Sequence, residues 1–186
     1  MANVLESLRN DHENMRVLLD ILESQMAVFG GGEYPNVLLI EDILDYLRGY
    51  PTLCHHPMED LVYDKLHTRV SSDVLERIGD LQAEHEELAR LTSELAAGVD
   101  NVLPDPKAPR SRFVALAKEF LDRYRRHMEL EETVLFPAAA KHLSENDWAA
   151  IDRELARHRD PLFGKRLEER FANLHHAIMV VARGPH

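Results

Sequence analysis

A histidine interrupts an otherwise apolar helical stripe at two places in this chain, and the two places lie one internal repeat apart. Leu5, Leu8, His12, Met15, Leu19, Leu22, Met26 and Phe29 follow steps of three and four residues, the spacing that lines one face of an α-helix. Val74, Ile78, Leu81, His85, Leu88, Thr92, Leu95 and Val99 do the same, and His85 falls 73 residues after His12. Each stripe is followed by a second shared feature. His55 and Glu59 are four residues apart, as are His127 and Glu131, and each member of the second pair lies 72 residues after its counterpart. Local context repeats too: Asp11-His12-Glu13 matches Glu84-His85-Glu86, and HHPMED at 55–60 matches HMELEE at 127–132. An internal repeat of this kind constrains the fold before any other reading. With the two halves face to face, four imidazoles and two carboxylates converge at one level of a helical core.

The remaining stripes complete a bundle. Phe113, Ala117, Phe120, Tyr124, His127, Glu131, Val134 and Ala138 mark one helix. Val37, Ile40, Leu44 and Leu47 mark another, which then meets Pro51 and Pro57; a proline inside a helix removes a hydrogen bond and kinks it. GGGEYPN, HTRVSSD and AGVDNVLPDPKAPRSR separate four helices with turn-forming residues. SEND at 144–147 starts a fifth helix carrying Trp148, Ile151 and Leu155, and Asp160-Pro161 breaks it before a last helix through Leu167, Phe171, Leu174 and Ile178. The expected fold is all-α: an up-down-up-down four-helix bundle over residues 1–142, with a C-terminal helical extension over 143–186 packed on it.

Charge and composition exclude several functions. The net charge is −11 with histidine neutral, no basic stripe offsets it, and a nucleic-acid backbone or anionic membrane is repelled. No run of about 18 apolar residues is present to span a bilayer. MANVLESLRNDHENM reads as an amphipathic helix rather than a signal peptide, and the single cysteine, Cys54, allows no internal disulfide. The expectation is a cytoplasmic protein without nucleic-acid or membrane partners.

Two carboxylates buried without partners would each cost several kcal/mol or take up a proton. A pair of cations satisfies all six polar groups at once. The candidate metal ligands are therefore His12, His55, Glu59, His85, His127 and Glu131. Six donors exceed the needs of one tetrahedral zinc, and four imidazoles rule out an all-oxygen calcium or magnesium cage. Mixed imidazole and carboxylate donors suit iron, manganese or zinc, and carboxylates shared between two histidine pairs suit a dinuclear centre. Ferritin-like di-iron bundles differ: they use Glu-x-x-His on two helices and a lone Glu on each of the others.

Other residues are assigned elsewhere. His56 adjoins a ligand but points about 100° away on a helix, which puts it beside the site or on the surface, where Asp60 can orient it. His67, His142, His158 and His186 read as surface or helix-end residues, and His175-His176 as packing or solvent-facing. Of Tyr50, Tyr63 and Tyr124, the last shares a stripe with His127, with core packing as its main role. Cys54 reads as a small buried hydrophobe beside His55.

In order along the chain, DHENM, CHHPMEDLVY, AEHEEL and RHMELEETVLFP resemble the four ligand-bearing segments of the hemerythrin-like (HHE cation-binding) family, over residues 4–140. DPLFG at 160–164 is similar to the tail of some bacterial members. The resemblance implies two iron ions: His12 and His55 holding one, His85 and His127 the other, and Glu59 and Glu131 bridging with an oxo or hydroxo group. Zinc or manganese are possible substitutes. Oxygen-carrying members supply a fifth histidine one turn after the third ligand, where this chain has Ala89. That departure favours a more reactive centre over a reversible oxygen carrier. Three functions follow: a di-iron protein binding or sensing O2, NO or a related ligand; a di-iron enzyme handling peroxide, NO or ferrous iron; or a metal-free helical interaction module.

Overall fold

The computed structural model describes residues 2–102, 110–158 and 163–183. The expected break at Asp160-Pro161, His186, and the side chains of His158 and Leu167 lie outside what is described. Among the described residues the chain is all-α, with no strand, and no helix is long and apolar enough to cross a membrane.

Helix α1 (Ala2–Gly30) buries every member of its predicted stripe, His12 included. It ends where Gly32 takes φ 97°, a left-handed turn that favours glycine. Asn36 then caps α2 (Val37–Tyr50) by accepting from the Leu39 amide at 3.1 Å. The prolines after α2 do not end the helical path. Pro51–His55 forms one wide π turn, closed by the His56 amide donating to the Pro51 carbonyl, and α3 (His56–His67) continues from it.

The third stripe is divided, contrary to expectation. Helix α4 (Ser72–Ile78) stops at Gly79, whose φ of 78° is left-handed, and Asp80 Oδ1 accepts from the Ala83 amide to start α5 (Leu81–Val102). The fourth stripe runs through α6 (Arg110–Leu130), a second π turn at Glu131–Leu135, and α7 (Phe136–His142). Beyond Glu131 the buried residues are Leu135, Phe136 and Ala139, while the predicted Val134 and Ala138 are only half-buried.

Ser144 and Asp147 cap α8 (Glu145–His158) reciprocally: the Ser144 hydroxyl donates to Asp147 Oδ2 at 2.6 Å, and the Asp147 amide donates to Ser144 Oγ at 3.3 Å. Trp148 and Ile151 of α8 are buried, and the last helix, α9 (Phe163–Arg183), buries Phe171 and Ile178.

Helices α1, α2, α5 and α6 close a ring in which each packs on the next, while α8 and α7 lie on α3 and α9 lies on α2. The apolar interior is split in two. One cluster runs from Met15 through Leu44, Leu88 and Phe120 to Phe171; the other joins Leu8, Met58, Val62, Leu81, Leu135 and Trp148. In sequence, His12, His55, His85 and Glu131 fall between residues of the two clusters, while Glu59 lies one residue into the second cluster and His127 one residue before the end of the first.

Candidate metal centre

The structure brings all six predicted ligands together and buries them, with Glu59, Glu131 and His12 at zero exposure. His12 comes from α1, His85 from α5, His127 from α6, and Glu131 opens the second π turn. His55 and Glu59 span the junction of the first π turn with α3, where the α-helical path places residues four apart on one face.

The two carboxylates divide their oxygens. Glu59 Oε1 lies 3.0 Å from His55 Nε2 and 3.5 Å from His12 Nε2, while Glu59 Oε2 lies 3.5 Å from His85 Nε2. Glu131 Oε2 lies 3.3 Å from His12 Nε2, and its Oε1 lies 3.2 Å from His127 Nε2 and 3.8 Å from His85 Nε2. Each carboxylate thus offers one oxygen to the His12–His55 pair and the other to the His85–His127 side. Donor atoms fall into two groups that could each hold an ion and that share Glu59: His12, His55, Glu59 and Glu131, and His56, Glu59, His85 and His127.

Both oxygens of Glu59 and Glu131 and both ring nitrogens of His85 and His127 are buried without a hydrogen-bond partner. So many unsatisfied polar atoms in one layer fit a cation, because buried charges are otherwise costly. An all-nitrogen-and-oxygen donor set of this kind suits a transition metal.

Further carboxylates hold the imidazoles from outside. Glu132 Oε1 sits 2.8 Å from His12 Nδ1, and its other oxygen accepts from Arg16 at 2.6 Å. Asp11 Oδ2 lies 3.1 Å from His55 Nδ1, and Oδ1 accepts from the Tyr50 hydroxyl at 2.7 Å. Asp60 Oδ1 is 3.6 Å from His85 Nδ1. Glu132 and Asp11, at hydrogen-bond distance, fix the tautomer and aim of their imidazoles; Asp60 is too far to do so for His85, whose Nδ1 has no hydrogen-bond partner. Asp11, Glu132 and Tyr50 had no assigned role of this kind from sequence. A signal existed for Glu132, which lies one repeat after Asp60: each reaches the lone histidine of the opposite half. Asp11 has Glu84 as its counterpart, but Glu84 pairs with Arg123 instead, and no described residue bonds His127 Nδ1.

Charge follows the same geometry. Burial alone would depress the His12, His55 and His85 imidazoles, but the carboxylates outweigh it. Glu131 and Glu59 lift His12 to about 9; Glu59 and Asp11 lift His55 to about 10; Glu131 and Glu59 lift His85 to about 9. Glu59 feels the reverse: burial would raise it, and the surrounding imidazoles hold it well below the usual carboxylate range. Burial pushes His127 down, and burial with the nearby His85 pushes His56 to about 2.

His56 is where the reading from sequence needs correction. It is half-buried and faces the site, its ring stacked on His85 at 3.7 Å with planes 4° apart, and it stands edge-on to His127. The helix angle of about 100° from His55 turns it toward the other histidine pair rather than away from the centre. Asp60 faces His85 instead of orienting His56. Tyr124 packs in the core with its hydroxyl on Met15 Sδ, and Tyr63 donates to the Gly79 carbonyl. Ala89 is exposed, as are His67, His142 and His176; His175 is half-buried against Tyr46. Cys54 is half-buried. A surface cavity of about 560 Å³ lined by Ile78, Gly79, Asp80, Ala83, Arg123 and His127 borders the site at His127, whose ring nitrogens are buried.

A family model described as the hemerythrin HHE cation binding domain matches residues 3–139 of the chain. No curated protein and no solved structure matches it.

Proposed function

Because the chain belongs to the hemerythrin HHE cation-binding family, we propose that its buried cluster holds two iron ions and binds or senses O2, NO or a related small ligand. The observation that carries this reading is the division of the Glu59 and Glu131 oxygens between two histidine groups. A carboxylate serving one ion has no reason to present its second oxygen to a separate imidazole set. In this reading His12 and His55 would hold one ion and His85 and His127 the other, with Glu59 and Glu131 shared between the two.

Bound iron supplies an open coordination position and one-electron redox chemistry for a diatomic ligand. The protein supplies the rest. Glu132 and Asp11 orient the first histidine pair and Asp60 faces His85, while Phe136 stacks on the His12 ring at 5.5 Å and covers it. The two apolar clusters keep bulk water from the layer between them, and the cavity beside His127 gives a small molecule room to approach. Ala89 points its methyl to solvent and offers no donor from α5. The scaffold is an up-down-up-down four-helix bundle over residues 1–142, built of α1, α2 with α3, α5, and α6 with α7. The ring of packing among these helices supports it. Of residues 143–186, those described form a helical extension on that bundle in this reading.

The test is anaerobic reconstitution with ferrous iron and metal analysis, where about two irons per chain are expected. Addition of O2, NO or peroxide is then followed in the visible spectrum. A persistent adduct supports a binder or sensor. Sustained peroxide consumption without an adduct moves the assignment to a di-iron enzyme, and a folded chain that takes up no metal refutes the centre.

A further inference from the structure

We propose that the cleft walled by α1, α2, the first π turn and α9 binds a neutral, hydroxylated aromatic ring, and that Tyr50 ties its occupancy to the buried layer. Binding in the cleft does not depend on the metal centre proposed above; the link through Tyr50 does.

The cleft holds about 400 Å³, a volume at the small end for small-molecule sites. Tyr46 and Tyr50 line it as a stacked pair, with centroids 5.2 Å apart and planes 20° apart. Their hydroxyls differ. Tyr50 donates to Asp11 Oδ1 at 2.7 Å. Tyr46 is only 3% exposed, yet its hydroxyl bonds no described residue. A buried tyrosine hydroxyl normally has a partner, and the open space beside Tyr46 is the cleft. His175 lines the same cleft, and its Nε2 is likewise buried without a partner. Two unsatisfied groups at one opening suit a ligand that can both donate and accept, as a hydroxyl does.

The lining narrows the class. Among the described residues no Lys, Arg, Asp or Glu lines the cleft. Burial, with His176 beside it, holds His175 below its ordinary value and so neutral at pH 7. An anion or a cation would enter without a counter-charge. Met58, Cys54 and the tyrosine rings supply an apolar and aromatic wall, and Ser7 and Asn14 supply further hydrogen-bonding groups. A flat apolar body carrying a hydroxyl meets both demands. Ala172 and His175 come from α9, beyond residues 3–139 matched by the family model, so this wall is an addition to the family domain.

The cleft is also joined to the layer of ligands. Asp11 accepts from Tyr50 through Oδ1, and its Oδ2 lies 3.1 Å from His55 Nδ1. Aligning His55 on an ion fixes Asp11 and then Tyr50, a wall of the cleft. Metal and ring should then alter each other's affinity by the same factor.

The probe is 2-naphthol, with its methyl ether as a similar body that cannot donate. Calorimetric titration of the metal-free protein should give 2-naphthol a Kd below about 1 mM and the ether binding about tenfold weaker, the loss of one hydrogen bond. Tyr46→Phe keeps the ring and should bring 2-naphthol down to the level of the ether. Ala172→Phe, at an exposed position, should fill the cleft and weaken both. Circular dichroism establishes folding of each variant. Protein loaded with Co2+ should bind 2-naphthol with an affinity changed about fivefold or more, and Tyr50→Phe should erase that difference. No measurable binding, equal binding of 2-naphthol and the ether, or equal binding by wild type and both variants overturns the site and leaves the metal centre standing. Equal affinity in loaded and metal-free wild type overturns the link. A folded chain that takes up no Co2+ overturns the centre and the link together, and leaves the cleft standing.

Discussion

In the metal-free protein protons stand where cationic charge is needed, and filling the centre must expel them. His12, His55 and His85 lie at about 9, 10 and 9, because the carboxylates around them overcome the effect of burial. All three are pushed towards the protonated form at pH 7, but His12 Nε2 and His55 Nε2 face each other at 3.1 Å and one of the two must accept, which leaves about two extra protons; His56 and His127 are held low and carry none to lose. A metal takes neutral imidazole, so saturation at pH 7 should release about two protons per chain. Calorimetric titration with the same metal in two buffers of different ionisation heat reads this number directly. Linkage then makes log affinity climb with a slope of up to about two per pH unit near pH 7, flattening above about pH 10. The same shifts govern folding. An imidazole raised above its ordinary 6.5 stabilises the fold fully below that value and loses the contribution as pH rises through its folded value. The metal-free protein should therefore lose melting temperature from about pH 6.5 towards pH 10. The loaded protein, whose nitrogens are already neutral, should keep it. Release of fewer than one proton at pH 7, or an affinity flat between pH 7 and 9, would refute the charge balance derived for the site.

Two substitutions test the supports of the centre. Asp11→Asn removes the charge that faces His55 Nδ1 and receives the Tyr50 hydroxyl; competition with a chelator should show metal affinity lower by about 10–100-fold, and an unchanged affinity would remove Asp11 from any orienting role. Gly49→Ala brings a Cβ to 2.5 Å from Cζ of the buried Phe171, so denaturant unfolding should report a loss of about 1–3 kcal/mol from overpacking; equal stability would mean that α9 does not seat on α2 as described.

The ligand layer was legible because burial and charge conflict there: His12 and His85 sit in runs of Leu and Met, where an isolated polar group is costly. The helices were legible from the same apolar spacing, and all eight residues of the first stripe are buried. What was missed lay off the stripes. The break at Gly79 leaves the stripe's spacing intact, since Ile78 and Leu81 are both buried, and only the left-handed glycine and the Asp80 cap give it away. The roles of Asp11, Glu132 and His56 depend on which helix stands opposite, and no periodicity within one helix encodes a neighbour's position.

The two π turns were hidden by a different assumption, that burial along a ligand helix keeps to mixed steps of three and four. The buried residues in fact run Leu47, Pro51, His55, Glu59 in the first half and His127, Glu131, Leu135, Ala139 in the second, three successive steps of four in each. At 3.6 residues per turn, the last member of such a run would stand about 120° off the face where the run began. One extra residue taken up in a π turn removes about 100° of that and returns the whole run to the core. In each half a proline sits two residues past the turn, Pro57 and Pro137, where a wider backbone tolerates a ring that would clash in a regular helix. Three fours in a row around His-x-x-x-Glu, closed by a proline, is thus the written form of the wide turn. That form also explains why the four-residue spacing can hold a histidine and a glutamate on one ion pair without turning the apolar residues beyond them out of the core. Both halves use it, the first through His55 and the second from Glu131 onward, so the turns fall on opposite sides of the two His-x-x-x-Glu pairs.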